Sequence, residues 1–286
     1  MEKKREYWVD NVKVLACILV VLGHFFQSMV KSGIITDNSL YQWFNTTIYY
    51  FHVPLFFICS GYLYQRYSRV DSKDSWFRNA LKKGLVLGVP YFTFSTVTWA
   101  LKTIFNGSVN DQIGGLGSTL FLHPTSPYWY LYSLFFMFLT TPTLVSKKAS
   151  MIGLIIAFAM KLISLAGGAS IYAIDTILAN EIWFVLGMSI NWFDLSWIKP
   201  EYGAVVFVFF LILSILRLDF WGVGFLLGLV ACVGVVMMFY KTKGTTYLAR
   251  YTMPIFLMHT IFAAPLRSLL FKMGIASCII QSVESK

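Results

Sequence analysis

Apolar segments of membrane-spanning length follow one another along almost the whole chain. A transmembrane helix needs roughly 20 mostly apolar residues, and 13% of this chain is charged, about half the usual share in a soluble domain. The segments lie at residues 9–31, 45–65, 79–105, 127–146, 150–167, 171–192, 202–216, 219–240 and 250–273. The sequence therefore predicts one all-α domain over residues 1–286. It would be a polytopic bundle of about nine to ten transmembrane helices in the cell membrane.

Basic residues gather in the connections that would lie on one side of that membrane. If the N-terminus is cytoplasmic, the inner segments hold Lys3, Lys4, Arg5, Arg66, Arg69, Lys73, Arg78, Lys82, Lys83, Lys147, Lys148, Lys199, Lys241, Lys243 and Arg250. This orientation puts most of the basic residues on the cytoplasmic side, as the positive-inside rule requires, so a cytoplasmic N-terminus is predicted. The same distribution explains the net charge of +10, so nucleic acid is not an expected partner.

Two connections are long enough to have structure of their own. Residues 106–126 are Gly-rich and contain His123, which is typical of a re-entrant or lid-like loop over a cavity. Residues 66–83 mix basic and aromatic side chains, as in an amphipathic helix on the lipid surface. A basic stop signal between two spans explains them equally well. The apolar run 275–280 is too short to cross a bilayer. Nine spans would leave the C-terminus outside, and a truncated or missing final helix explains this run equally well.

The first span contains ionisable groups that lipid disfavours. A lysine at mid-helix costs about 2.5–3.5 kcal/mol on insertion scales, although Lys13 could extend toward the headgroups. At about 100° per residue, Lys13 and His24 lie within about 20° of one direction, and Asp10 lies within about 40° of His24. These three candidate catalytic residues share one helical face, with His24 roughly 16 Å beyond Lys13. Such a face could line a transmembrane tunnel.

His24 is a candidate general base. Histidine is the side chain best suited to exchange a proton near neutral pH, and burial favours its neutral, basic form. The structural alternative is an interhelical hydrogen bond, worth about 0.6 kcal/mol in membrane bundles.

Other polar and aromatic side chains lie in later spans. Ser60 precedes Gly61 and could act as a nucleophile beside a base, although this pair more often allows close helix packing. Trp129 and Tyr130 suit either an aromatic belt or stacking against a sugar ring. The candidate substrate-binding residues are His52, Ser60, Trp129, Tyr130, Glu181, His259 and His123.

Several other chemistries have no support in the sequence. The four cysteines lie in apolar contexts without paired spacing, which gives no basis for a disulfide framework or a zinc site. Neither a Walker loop nor a dinucleotide-binding Gly pattern nor a metal-ligand cluster appears. We therefore expect no bound cofactor and no metal, and energy-driven transport and redox chemistry are disfavoured.

In these segments the sequence resembles the acyltransferase 3 family of membrane acyltransferases. That family has an Arg, ten residues and a His in its first span, where this chain has VDNVKVLACILVVLGH. The resemblance continues in order through FHVPLFFICSGYLY, YWYLYSLFFMFL, IWFVLGM and MPIFLMH, and so covers nearly the whole chain. It implies a helical bundle that passes an acyl group, usually acetyl from cytoplasmic acetyl-CoA, to a hydroxyl on an extracytoplasmic glycan.

Carried over to this sequence, the resemblance makes His24 the catalytic histidine and puts Lys13 where the family has Arg. Arginine presents a rigid bidentate fork, whereas lysine is a flexible point charge. The leading hypothesis is an O-acyltransferase in which His24 deprotonates the acceptor while Lys13 steadies the CoA end. Its partners would be the bilayer, acyl-CoA and a glycan or other cell-envelope acceptor, and an oligomer is possible. The alternative is a transport or solute-binding membrane domain, for example for amino-acid uptake, without acyl transfer.

Overall fold

A computed structural model describes residues 5–68, 70–105 and 114–272 of the chain. Within these ranges every regular element is helical, so the predicted all-α class is confirmed there. The helices are α1 (Tyr7–Lys31), α2 (Ser39–Tyr49), α3 (His52–Tyr67), α4 (Lys73–Lys83), α5 (Val89–Ile104), α6 (Trp129–Thr140), α7 (Lys147–Leu165), α8 (Tyr172–Ser189), α9 (Pro200–Ile215), α10 (Val223–Phe239) and α11 (Thr252–Lys272). The expectations for 275–280 and for the first part of the 106–126 loop lie outside the described residues.

Several of these helices have the length and composition of membrane spans. Among the described residues, four helical segments are long and apolar enough to cross a bilayer, namely Tyr7–Lys31, Lys73–Ile104, Lys147–Leu165 and Tyr172–Trp192. Four shorter apolar helices are Trp129–Thr140, Pro200–Ile215, Val223–Phe239 and Thr252–Ala263. Membrane embedding is thus supported. The count of nine to ten crossings and the cytoplasmic N-terminus stay predictions.

The second predicted span, residues 45–65, is interrupted. Helix α2 ends at Tyr49 and α3 begins at His52, with Tyr50 and Phe51 between them. Pro54 provides a physical reason, because it has no N–H to donate to a carbonyl one turn earlier and is best accommodated in the first turn of a helix. The break places His52 at the N-terminal end of a new helix.

Local sequence signals set other helix ends. The side chain of Asn38 accepts a hydrogen bond from the backbone N–H of Tyr41 and so caps α2, and Ser146 caps α7 in the same way. Ser72 and Ser75 form a reciprocal capping box at the start of α4.

Helix α4 presents exposed Trp76 and Phe77 and continues through a π-helical turn, Gly84–Gly88, toward α5. A helix therefore forms within the predicted range 66–83, over Lys73–Lys83, and its location on the lipid surface stays a prediction.

Glycines allow helices α3 and α8 to pack backbone against backbone. Helices α3 and α8 make the most extensive contact, with Gly61 against the carbonyl of Phe184 and Gly187 against the carbonyl of Ile58. A side chain at either glycine would overlap backbone atoms of the facing helix, as expected at a small-residue interface. Helix α1 packs beside this pair, between α3 and α11, and this arrangement brings distant histidines together.

Candidate active site

Three histidines from three helices meet near the C-terminal half of α1. His24 lies on α1, His52 at the start of α3 and His259 on α11. The ring centroids of His24 and His259 are 5.1 Å apart. His24 and His52 line one cavity of about 70 Å³. The tertiary fold therefore brings together three residues that lie up to 235 positions apart, which is the separation 259 − 24.

Two of these rings are oriented by their own helices. His52 Nδ1 lies 2.6 Å from the carbonyl oxygen of Ile48, and His259 Nδ1 lies 2.7 Å from that of Phe256. A carbonyl oxygen can only accept, so each Nδ1 must carry the hydrogen. In the neutral ring Nε2 then has a free lone pair. The Nε2 atom of His259 is buried, with no hydrogen-bond partner among the described residues.

A serine hydroxyl lies directly beside His24. Ser126 Oγ is 3.4 Å from His24 Nε2, and both residues line the cavity. Ser126 precedes α6 and is exposed, whereas Pro127 and Tyr128 after it are buried. Sequence reasoning did not select Ser126, because a lone serine in a loop carries no pattern; its only signal is its place immediately before the aromatic run PYWY.

Aromatic side chains form most of the cavity wall. Trp129 and Tyr130 of α6 line it with Phe56, Phe256 and Tyr49. The Tyr130 hydroxyl lies 3.3 Å from the Phe56 carbonyl, to which it donates, and 3.0 Å from Ser60 Oγ. Ser60 thus supports the cavity wall through Tyr130, and the cavity lining does not include Ser60 itself. Ser60, the predicted nucleophile, makes no described hydrogen bond to a histidine.

The cavity lining carries no formal charge. Among the described residues it comprises Val20, His24, Tyr49, His52, Val53, Phe56, Ser126, Pro127, Trp129, Tyr130 and Phe256. Charged groups are costly in such surroundings, whereas neutral polar groups are tolerated when hydrogen-bonded. The two imidazoles are therefore the groups of this lining that can accept a proton near neutral pH.

Lys13 and Asp10 lie at the other end of α1. Asp10 Oδ2 is paired with Arg5 Nε at 2.5 Å. Between Lys13 and His24 the same face presents Cys17 and Val20, which are 3% and 2% exposed. The polar face expected from helical spacing is therefore interrupted by packed apolar side chains. The structure therefore shows no continuous polar path along this face, and the tunnel stays a prediction.

Two further predicted residues lie elsewhere. The carboxylate of Glu181 accepts a hydrogen bond of 2.6 Å from Thr141 Oγ1 and is buried where α6 meets α8. The ring of His123 lies 6.3 Å from that of Tyr172. Neither residue is part of the cavity lining, so their assignment to substrate binding stays a prediction that this geometry does not favour.

No metal centre is evident in the described part of the chain. No group of three or more His, Cys, Asp or Glu side chains there is arranged to hold a metal ion. Cys17, Cys59 and Cys232 are free and buried. Cys278 lies outside the described residues.

Comparison with known proteins gives one family and two partial relatives. The sequence model of a family described as an acyltransferase domain matches residues 6–281. Nodulation protein NolL of Mesorhizobium japonicum is 28% identical over 159 residues, which are 54% of this chain and 40% of that protein. Nodulation protein NolL of Sinorhizobium fredii is 44% identical over 59 residues, which are 21% of this chain and 16% of that protein. The chain thus spans less than half the length of the curated relatives it matches. No solved structure matches.

Proposed function

Because the chain belongs to the acyltransferase-domain family, we propose that it is a multi-pass membrane O-acyltransferase that uses acyl-CoA, with acetyl as the acyl group. The acceptor is a hydroxyl of a glycan or another cell-envelope molecule on the outer side. One observation supports this reaction most directly. A half-buried imidazole, His24, lies 3.4 Å from a hydroxyl in an uncharged aromatic cavity.

The proposed chemical step uses His24 as a general base. The neutral imidazole takes the proton of the acceptor hydroxyl, and the acceptor oxygen attacks the thioester carbonyl. The acyl carbon–sulfur bond then breaks, and the proton passes from His24 to the leaving CoA thiolate. Ser126 Oγ marks a position from which a hydroxyl oxygen can reach His24 Nε2. General-base action contributes typically about 10²–10⁴-fold to rate.

The walls of the cavity suit a sugar-like acceptor. Trp129, Tyr130 and Phe56 present aromatic surface, which can pack against the apolar face of a sugar ring, while His24 and His52 supply polar groups. The cavity of about 70 Å³ is smaller than an ordinary ligand pocket, at roughly 300–1,000 Å³. We therefore expect the acceptor to displace the loop around Ser126 when it binds.

The orientation of α1 gives the donor a separate approach. With a cytoplasmic N-terminus, Lys13 lies at the inner end of α1 and His24 roughly 16 Å deeper along the axis. Lys13 would contact a phosphate of CoA as a point charge, without the bidentate geometry of arginine. The packed side chains of Cys17 and Val20 must then move, or the thioester must reach His24 beside them.

Transfer of labelled acetyl groups tests the proposal. The full chain in proteoliposomes is supplied with [¹⁴C]acetyl-CoA and a mixture of cell-envelope glycans, and both free CoA thiol and labelled glycan are measured. We expect turnover that His24→Ala reduces by about 10²-fold or more. Val145→Ala, at an exposed position outside the cavity lining, serves as the control and retains activity. Uptake of a solute into the vesicles without thioester turnover would instead identify a transport domain.

A further inference from the structure

General-base catalysis at His24 creates a charge that the cavity wall does not neutralise. Once the imidazole has taken the acceptor's proton it is a cation, and the described residues lining the cavity include no Asp or Glu. An unpaired cation in apolar surroundings is strongly disfavoured. A neutral group that accepts a hydrogen bond from this cation would stabilise it, and would therefore assist the proposed reaction.

His259 has the properties of such a group. Its Nδ1 is committed to the carbonyl oxygen of Phe256 at 2.7 Å, so the neutral ring presents a lone pair at Nε2. That Nε2 atom is buried, and no described residue donates to it. The side chain as a whole is 8% exposed, so water does not readily supply the missing donor.

The separation of the two rings fits a hydrogen bond between them. An N–H···N bond of about 2.9 Å between two imidazoles places their centroids roughly 5 Å apart, and the centroids of His24 and His259 are 5.1 Å apart. His259 Nε2 has no partner in the part of the chain that the structure describes, so the bond requires a rotation of the rings but no approach of the two helices. Neutral His24 has one N–H, whereas its protonated form has an N–H on both nitrogens. Whichever nitrogen faces His259 therefore carries a hydrogen once His24 has accepted the proton.

We propose that His259 is a positioning residue for acyl transfer, whose Nε2 accepts a hydrogen bond from His24 as His24 becomes protonated. In many enzymes a third group orients the base that activates the nucleophile. Here the acceptor hydroxyl is the nucleophile, His24 is the base, and the neutral ring of His259 is the third group. His24 later gives its proton to the departing CoA thiolate, and His259 returns to its starting state without changing its own protonation. The inference rests on the proposed function and concerns the same site.

Other groups around His24 are less suited to this role. Lys31 lies in the last turn of α1, and its ammonium group cannot accept a hydrogen bond. Ser126 Oγ lies beside His24 Nε2, the atom at which the acceptor hydroxyl must bind. The Tyr130 hydroxyl is already hydrogen-bonded to the Phe56 carbonyl and to Ser60 Oγ. The ring of His52 packs edge-on against Tyr49 at 4.6 Å, whereas the ring in contact with His24 is that of His259.

Two substitutions of similar size at position 259 test the proposal. In His259→Gln the side-chain amide oxygen can take the place of Nε2 as an acceptor, whereas His259→Leu fills the space without an acceptor. We expect the Leu variant to lower kcat roughly 10- to 100-fold, as for the loss of a hydrogen bond to a charged group. The KM values for acetyl-CoA and for the glycan should stay within about twofold, because the bond to His259 gains the strength of a charge-assisted hydrogen bond only when His24 is protonated. The Gln variant should recover most of the rate.

The outcomes separate this inference from the proposed function. If the wild-type chain shows no thioester turnover, the proposed function fails. A second outcome is that the wild-type chain turns over the thioester, His24→Ala is inactive and His259→Leu keeps the wild-type kcat. In that case the role of His259 is overturned, while the proposed acyltransferase function is retained. A purely structural role predicts that Gln and Leu lose activity equally, in parallel with a loss of folded protein on size-exclusion chromatography. If the Leu variant does not reach the membrane, His259→Phe replaces it in the comparison with Gln.

Discussion

The two ends of α1 carry polar groups in opposite ways. At the N-terminal end, Asp10 pairs with Arg5 at 2.5 Å, and Glu6 lies 3.6 Å from Arg66 of α3. In the cavity beside His24 the polar side chains are imidazoles, hydroxyls and an indole, and the next charged residue along α1 is Lys31, in its last turn. Charges are tolerated near water and headgroups, whereas deeper in a bilayer they are expensive. The position along one helix therefore decides whether polar chemistry is carried by ions or by neutral groups.

The region between these ends is packed. Cys17 and Val20 of α1 are buried, and the α3–α8 crossing places Gly61 against the Phe184 carbonyl. Helix α3 links the two polar regions, because His52 lies at one end and Arg66 at the other. Disrupting this crossing should therefore affect both regions, whereas substitutions at either end should affect only one.

The largest effect is expected from Gly61→Leu. No side chain fits at this position without overlapping backbone atoms of α8, and overpacking of this kind costs about 1–3 kcal/mol or more. We expect little monodisperse protein after detergent extraction and no activity. Gly88→Leu is the matched control, since nothing lies within 4 Å of a side chain placed there. Normal yield of the Gly61 variant would show that the crossing is not needed to hold the two ends.

A smaller effect is expected from Lys13→Met. If Lys13 holds the CoA end of the donor, its loss should raise the KM for acetyl-CoA about three- to tenfold, as for removal of roughly one charged contact, while kcat changes little. Lys13→Arg should match or improve on the wild-type KM because arginine binds phosphate bidentately. A fall in kcat with unchanged KM would contradict this division of roles between the two ends.

The smallest effect is expected from Arg5→Gln. The Arg5–Asp10 pair is partly exposed, at 41% and 24%, and exposed ion pairs contribute at most about 1 kcal/mol. We expect thermal stability and acetyl transfer close to those of the wild type, measured in low and high salt. A large loss of activity with unchanged stability would place Asp10 in the catalytic machinery after all, as its position on the His24 face first suggested.

The candidate site was predictable where residues carry their own signal. An ionisable or aromatic side chain in an apolar segment is conspicuous, and by this criterion the sequence identified His24, His52, His259, Trp129 and Tyr130, which lie together in the fold. The same criterion also selected Glu181 and His123, which lie elsewhere. It could not separate the two groups, because hydrophobicity indicates that a polar residue needs a partner without indicating which one.

Helical spacing was informative only along a single helix. It put Lys13, Asp10 and His24 on one face, and α1 is indeed continuous over these positions. It could not foresee that Cys17 and Val20 on that face would be covered by neighbouring helices. It also gave no reason to select Ser126, whose position beside His24 depends on how the segment before α6 folds over α1.

The sequence by itself determined the helical class and the approximate place of each helix. Both depend on local quantities, namely the length of an apolar run and the absence of an N–H at proline. Only the tertiary structure decided which histidines meet, which polar face is interrupted and which hydroxyl lies beside the base. These depend on contacts between residues far apart in the chain, such as His24 with His259, and side-chain packing between helices fixes them.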